Sequence, residues 1–224
     1  EEPLGFSANH NQAIRQATGR YILLLNDDTK VLDDALVRAV QFLDRNTDCG
    51  AAGCTLVKSD GSAERISQRF PHPLDPLFPW LRDKVSDGEQ TPTAYESGQP
   101  TPCAGTSDIL PPPAEQQEAQ PSERAIDVDR LSGACLMVRR EVVEQVGLLD
   151  ERFDPAFGED TDWCRRIKHA GWRIVRLVDA RVVHLRGRTA RREFGADHAR
   201  RMQEAKFRWY RKHRPAPVRW LYRA

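Results

Sequence analysis

Apolar and polar positions follow two periods that alternate along this chain. Ala8 to Thr18 carries helical content and is closed by Gly19, which reads as its C-terminal cap. Tyr21-Ile22-Leu23-Leu24-Leu25 is a continuous apolar run of strand length between polar residues. Such a run predicts a strand covered on both faces, as in a parallel sheet. Leu36, Val37, Val40, Phe42 and Leu43 predict a second, amphipathic helix. Ala51 to Val57 reads as a short strand and Asp60-Gly61 as a turn. After a long interval the alternation resumes. Leu131 to Val138 is a strand pattern broken by Gly133, Glu141 to Val146 a short helix ending at Gly147, and Asp160 to Ala170 a helix ending at Gly171. Arg173 to Val178 and Arg181 to Leu185 read as two further strands. Strand and helix alternate on both sides of the interval, which predicts one α/β domain carrying an insertion.

The interval differs in kind. Pro71, Pro73, Pro76 and Pro79 sit among Leu74, Leu77, Phe78, Trp80 and Leu81, which suits an irregular apolar loop. From Val85 to Ala125 there are seven acids, seven prolines and one base. That stretch holds too little apolar surface to offset its ordering entropy, so 85–125 is predicted as a disordered surface insertion. The end of the chain differs again. From Arg186 to Ala224, thirteen Lys and Arg stand against three acids, interleaved with Phe194, Phe207, Trp209, Tyr210, Trp220 and Tyr222. Residues 1–190 are read as the domain and 191–224 as a basic amphipathic tail. Such a tail suits peripheral contact with an anionic membrane, with single-stranded nucleic acid as the rival, or, on the plainer reading, a solvated helix that packs Phe207 and Trp209 on the domain.

Over all 224 residues the net charge is +1, from 34 Lys and Arg against 33 Asp and Glu. This balance excludes a uniformly basic nucleic-acid binder, and nucleic acid is not an expected partner. No apolar run approaches the ~20 residues of a membrane span. Cys49, Cys54, Cys103, Cys135 and Cys164 are an odd, scattered set without C-x-x-C spacing. They argue against a zinc site or disulfide framework and for a reducing, cytoplasmic compartment.

Four places could carry chemistry. Asn26-Asp27-Asp28 follows the apolar strand, where open α/β sheets bind ligands. Carboxylates there can hold Mg²⁺ or Mn²⁺ against phosphates, or merely cap the next helix. Gly158-Glu159-Asp160-Thr161-Asp162 sets three acids at a helix start, where the dipole favours them and where mutual repulsion can raise one toward a usable base. His184 at a strand end is a structural residue or a metal ligand. Ser132-Gly133-Ala134 marks tight packing or a close backbone approach to a ligand.

Together these pieces resemble the family 2 glycosyltransferases, in the bacterial rhamnosyltransferase-like or galactofuranosyltransferase-like branch. The matching stretches are Gly5 to Asn11, Tyr21 to Thr29, Leu131 to Arg140, Val146 to Phe153, Gly158 to Arg166, and Gly171-Trp172 through His184. The resemblance implies a GT-A-type (Rossmann-like) α/β fold with a mixed, mostly parallel sheet flanked by helices. It implies a divalent metal, Mn²⁺ or Mg²⁺, on the diphosphate of a nucleotide-sugar donor, with Asp28, Asn26 and His184 as its residues. It implies Glu159 and Asp160 as the catalytic acid pair, with Asp160 the base for an inverting displacement. Asn11, His10, Asp27, Ser132, Gly133, Ala134, Asp162 and Trp163 fall to donor or acceptor binding, although Trp163 also suits core packing. The acceptor implied is a cell-surface saccharide or lipid-linked glycan, placing the protein in the cytoplasm, peripheral on the inner face of the membrane.

Family members begin with two strands and an acidic loop that hold the base and ribose. That region would precede Gly5, so the chain, which starts at Glu1, is expected to be N-terminally incomplete. The first metal-motif residue is Asn26, which weakens a two-acid clamp. Two rival readings are a nucleotidyltransferase-like metal enzyme and an inactive remnant acting as an interaction module.

Overall fold

Two strands form the spine of the domain: β3 (Cys49–Val57) and β6 (Arg173–His184), which pair in parallel. The computed structural model describes residues 4–64, 69–72, 123–185 and 195–214. Every residue of β3 is buried, and its small side chains let neighbours approach closely. A Cβ on Gly53 would sit 2.9 Å from the Cys135 carbonyl oxygen. On the other side of β3 lies β5 (Cys135–Arg139), and beyond it β1 (Tyr21–Leu25), both pairings antiparallel. Along the far edge of β6 lie β4 (Ala125–Asp127) and β2 (Thr29–Val31), again antiparallel.

The sheet is therefore mixed, and among the described residues only the β3–β6 pair is parallel. This corrects the mostly parallel expectation. A continuous apolar run reports two covered faces, and it carries no information on the direction of its neighbours. β1 illustrates the point: it ends the strand order, and Ile22 and Leu24 are buried on one face while Tyr21, Leu23 and Leu25 are half-buried on the other.

Helices cover both faces. α1 (Phe6–Gln16), α3 (Arg140–Val146) and α4 (Glu159–His169) lie over a core containing Ile14, Leu136, Trp163 and Ile174. α2 (Ala35–Arg45) covers the opposite core, which contains Leu43, Met137 and Val182. α1 starts two residues before the predicted limit and ends at Ala17, so Gly19 is not its cap. The early start has a tertiary cause: Asp154 accepts from the Ser7 and Ala8 amides at 2.7 and 3.2 Å, neutralising orphan donors from 146 and more residues away. The strand pattern from Leu131 is likewise shortened, because 131–134 is taken up by a loop and turn before β5 begins.

The predicted break between two late strands is a bulge within one. Cys54 pairs with Leu177 and Thr55 with Arg181, so residues 178–180 are extra. Val178 donates to the Arg124 carbonyl at 2.8 Å, and Arg124 pairs with Asp179 at 2.6 Å. Glu123 accepts from the Asp179 and Ala180 amides and pairs with Arg38. The predicted insertion thus ends before Glu123, and its stretch from 85 to 122 lies outside the described residues. The acid count that suggested disorder could not foresee partners for its last members.

The described part of the basic end is one helix, α5 (His198–His213). It buries Trp209 and Tyr210 against Phe153 and so shares a core with the domain; of the two residues the plainer reading named, Trp209 is buried and Phe207 half-buried. Among the described residues no helix is long and apolar enough to cross a membrane. Cys49, Cys54, Cys135 and Cys164 are free thiols, all buried.

Candidate active site

The antiparallel pairing of β2 with β6 places the first cluster. Thr29 stands opposite His184, and the Leu185 amide donates to the Asp28 carbonyl at 2.9 Å. That register sets His184 Nε2 3.3 Å from Asp28 Oδ1. Asp28 Oδ1 is buried and has no hydrogen-bonded partner. On its other side His184 Nδ1 lies 3.2 Å from Glu64 Oε2, whose side chain is fully covered. Glu64 is held there by the turn around Gly61 and by its own amide, which donates to the Leu56 carbonyl at 2.8 Å. Asn26 presents its backbone to the neighbouring loop, and Asp27 is exposed in the turn.

The second cluster grows from α4. Gly158 precedes it at φ +96°, with Phe153 so close that a Cβ would lie 2.9 Å from its ring. Both facts require glycine there. Asp160 is held by three donors: its Oδ1 accepts from the Thr161 amide at 2.6 Å and hydroxyl at 3.0 Å, its Oδ2 from the Gly133 amide at 3.1 Å. The turn Ser132-Gly133-Ala134 therefore touches both clusters, because the Ala134 carbonyl accepts from the Asn26 amide at 3.2 Å. A Cβ on Gly133 would lie 3.3 Å from Phe6 and 3.8 Å from Asp160. His10 stacks on Phe6, centroids 3.9 Å apart, one ring removed from that turn.

Three predicted binding residues are corrected to structural ones. Asn11 is buried, donating to the Leu149 carbonyl and Glu151 while accepting from the Leu149 amide. Trp163 is fully buried and donates to the Gly147 carbonyl at 2.8 Å. Asp162, also fully buried, lies 2.6 Å from both Lys212 Nζ and His213 Nε2 and 2.9 Å from Arg166. Burial pushes its carboxyl up, yet the bonds from His213 and Lys212 and the Arg166 charge outweigh burial and hold it below the usual range. In each case the sequence showed a polar or aromatic residue in a suggestive motif, and the structure supplies the partner that satisfies it. Lys212 and His213 carried no signal of this role, since their partner is 50 residues away.

Glu159 differs from its neighbour. Its Oε2 is buried without a hydrogen-bonded partner. Burial first, and then the Asp160 charge, push its carboxyl well above the usual range. The folded chain keeps this proton at pH values where the unfolded chain, near its ordinary 4.5, has lost it. Stability therefore falls as pH rises above that value. Glu159→Gln is expected to melt with the wild type near pH 4 and above it, by a growing margin, as pH rises toward about 8. Parallel melting curves across that range would contradict a buried neutral Glu159.

A family model described as glycosyltransferase like family 2 matches residues 1–212. The chain belongs to that family. It is 25% identical over 185 residues to the O-antigen biosynthesis protein RfbC of Myxococcus xanthus, covering 82% of this chain and 12% of that protein. It is 36% identical over 115 residues to an N-acetylglucosaminyl-diphospho-decaprenol L-rhamnosyltransferase of Mycobacterium tuberculosis, covering 48% of this chain and 35% of that one. A mannosyltransferase from Pyrobaculum calidifontis, solved with GDP-Man and Mn²⁺, superposes with a TM-score of 0.51 at 18% identity. That likeness covers 100% of this chain and 51% of the other, and it shows the GT-A fold. The chain thus spans about a third or less of the curated relatives' length.

Proposed function

We propose that this domain transfers a sugar from a nucleotide diphosphate sugar to a hydroxyl of a saccharide or lipid-linked acceptor, with inversion, in the cleft between Asp28–His184 and Asp160. The observation that carries the reading is the Ser132–Ala134 turn. It is bonded to Asn26 on one side and to Asp160 on the other, so one short backbone segment ties the metal end of the cleft to the base.

Asp28 and His184 fit a divalent cation. A buried carboxylate oxygen that makes no hydrogen bond, with an imidazole nitrogen 3.3 Å away, is a pair of donors able to share a cation. The described residues hold no group of three or more acidic, His or Cys side chains set to grip a metal. That suits an ion completed by substrate phosphates, as Mg²⁺-like sites commonly are. Bound there, Mn²⁺ or Mg²⁺ would supply charge to the departing diphosphate. Glu64, on the far nitrogen of His184, would fix the ring so that Nε2 faces the cation.

Asp160 accepts the proton of the attacking hydroxyl. Its three donors leave it oriented. The acceptor oxygen then attacks the anomeric carbon from the face opposite the diphosphate, and that bond breaks as the new one forms. Glu159, whose carboxyl burial pushes well above the usual range, gives up its proton less readily than its neighbour and is not the base. The mannosyltransferase solved with GDP-Man and Mn²⁺ supports the donor and metal, and the mycobacterial relative's name supports a lipid-linked acceptor.

Incubation with a panel of sugar nucleotides, Mn²⁺ and a prenyl-diphosphate glycan tests the reading. Release of a nucleoside diphosphate, matched by glycosylated acceptor of inverted anomeric configuration, is expected. Pyrophosphate release from a nucleoside triphosphate would move the assignment to a nucleotidyltransferase.

A further inference from the structure

β6 is an inner strand, with β3 on one side and β4 and β2 on the other. Ile174, Val175, Leu177 and Val182 are accordingly buried. Arg176 interrupts this apolar series, paired across to Gly53 on β3 and Ile126 on β4. By strand alternation it shares the face of Ile174.

A guanidinium so placed calls for a partner, because buried charges are ordinarily paired. Arg176 has none of the expected kind. Its Nε is buried and without a hydrogen-bonded partner, and its one hydrogen bond among the described residues is a long one, 3.4 Å, to Thr55 Oγ1. No described carboxylate pairs with it, and burial alone lowers its pKa.

Arg176 lines a cleft open to solvent, together with Thr55, Glu64, Arg130 and Ser132. Arg130 has no described carboxylate partner either: it donates to the Arg69 carbonyl at 3.2 Å and to Thr161 Oγ1 at 2.9 Å. The one carboxylate in the lining, Glu64, lies 3.2 Å from His184 Nδ1. Two guanidiniums and two hydroxyls thus converge on a cleft that borders the His184 cluster through Glu64 and the Asp160 helix through Thr161.

We propose that Arg176, with Arg130, forms a binding subsite for the diphosphate group of a substrate. Guanidinium forks match phosphate oxygens, and a ligand carrying two phosphates would supply the counter-charge that the described residues withhold. The inference rests on the glycosyltransfer reading only in where it sets the cleft. Its test therefore uses free pyrophosphate, without Mn²⁺ and without turnover.

Pyrophosphate is titrated calorimetrically into the wild type, Arg176→Met, Arg176→Lys and, as a control, Arg211→Met at an exposed site on α5. Arg176→Met is expected to weaken binding roughly 10- to 100-fold, Arg176→Lys less, and Arg211→Met within about twofold. Without pyrophosphate, Arg176→Met is expected to melt about 2–8 °C above the wild type, because it removes a half-buried charge that no described carboxylate pairs with. A merely structural arginine would give the opposite shift. Pyrophosphate affinity unchanged in Arg176→Met, or a lower melting temperature in its absence, overturns the proposal. UDP and farnesyl diphosphate, titrated in parallel, tell the two sources apart: the one whose affinity falls in Arg176→Met identifies donor or acceptor diphosphate.

Discussion

Asp160→Asn is expected to lower kcat about 10²- to 10⁴-fold while leaving nucleotide affinity within about twofold. The amide is isosteric and its oxygen can still accept from the Thr161 amide, so the start of α4 should survive. What it loses is the capacity to take a proton at neutral pH. The loss should fall on kcat rather than KM, since proton removal matters only as the hydroxyl attacks. Glu159→Gln is the internal comparison. Burial pushes the Glu159 carboxyl well above the usual range, so replacing it by a neutral isostere should leave kcat within about tenfold. The reverse ranking, with Glu159→Gln the crippled variant and Asp160→Asn nearly active, would move the base one residue back. Circular dichroism on both variants separates chemistry from folding.

Asp28→Ala and His184→Ala are expected to reduce Mn²⁺ affinity by at least about 100-fold each, since residues outside the ligand shell already cost up to that much. The readout need not involve turnover. Mn²⁺ with UDP should raise the wild-type melting temperature by mass action and should fail to raise that of either variant. The competing account is that Asp28, His184 and Glu64 form a purely structural cluster. In that case both variants would destabilise the apo chain, and the increment from Mn²⁺ with UDP would be unchanged.

Local pattern carried much of the fold. The apolar run of β1, the amphipathic α2 and the glycine stops at Gly147 and Gly171 are read from neighbouring residues, and both glycines do adopt positive φ. Element types survived because burial and backbone propensity act over a few residues. β2 was not legible: three residues, Thr29-Lys30-Val31, hold too little pattern to signal a strand. Yet β2 is what brings Asp28 beside His184. The acid motif was visible, but its members split by environment. Asp160 faces Gly133, Glu159 is sealed, and Asp162 is consumed by α5.

The sequence by itself determined the alternating α/β order, the family and the two short acidic motifs. Those are properties of residue identity and spacing, which the chain carries unfolded. Strand direction, the role of the basic end and the partners of Glu64, Asp162 and Arg176 were decided only by the tertiary structure. Each depends on a contact between segments tens of residues or more apart, and charge compensation is a property of distance in space. Arg176 shows the limit most plainly. In the sequence it is one arginine among many, and only between β3 and β4 does it become visible that no described carboxylate pairs with it.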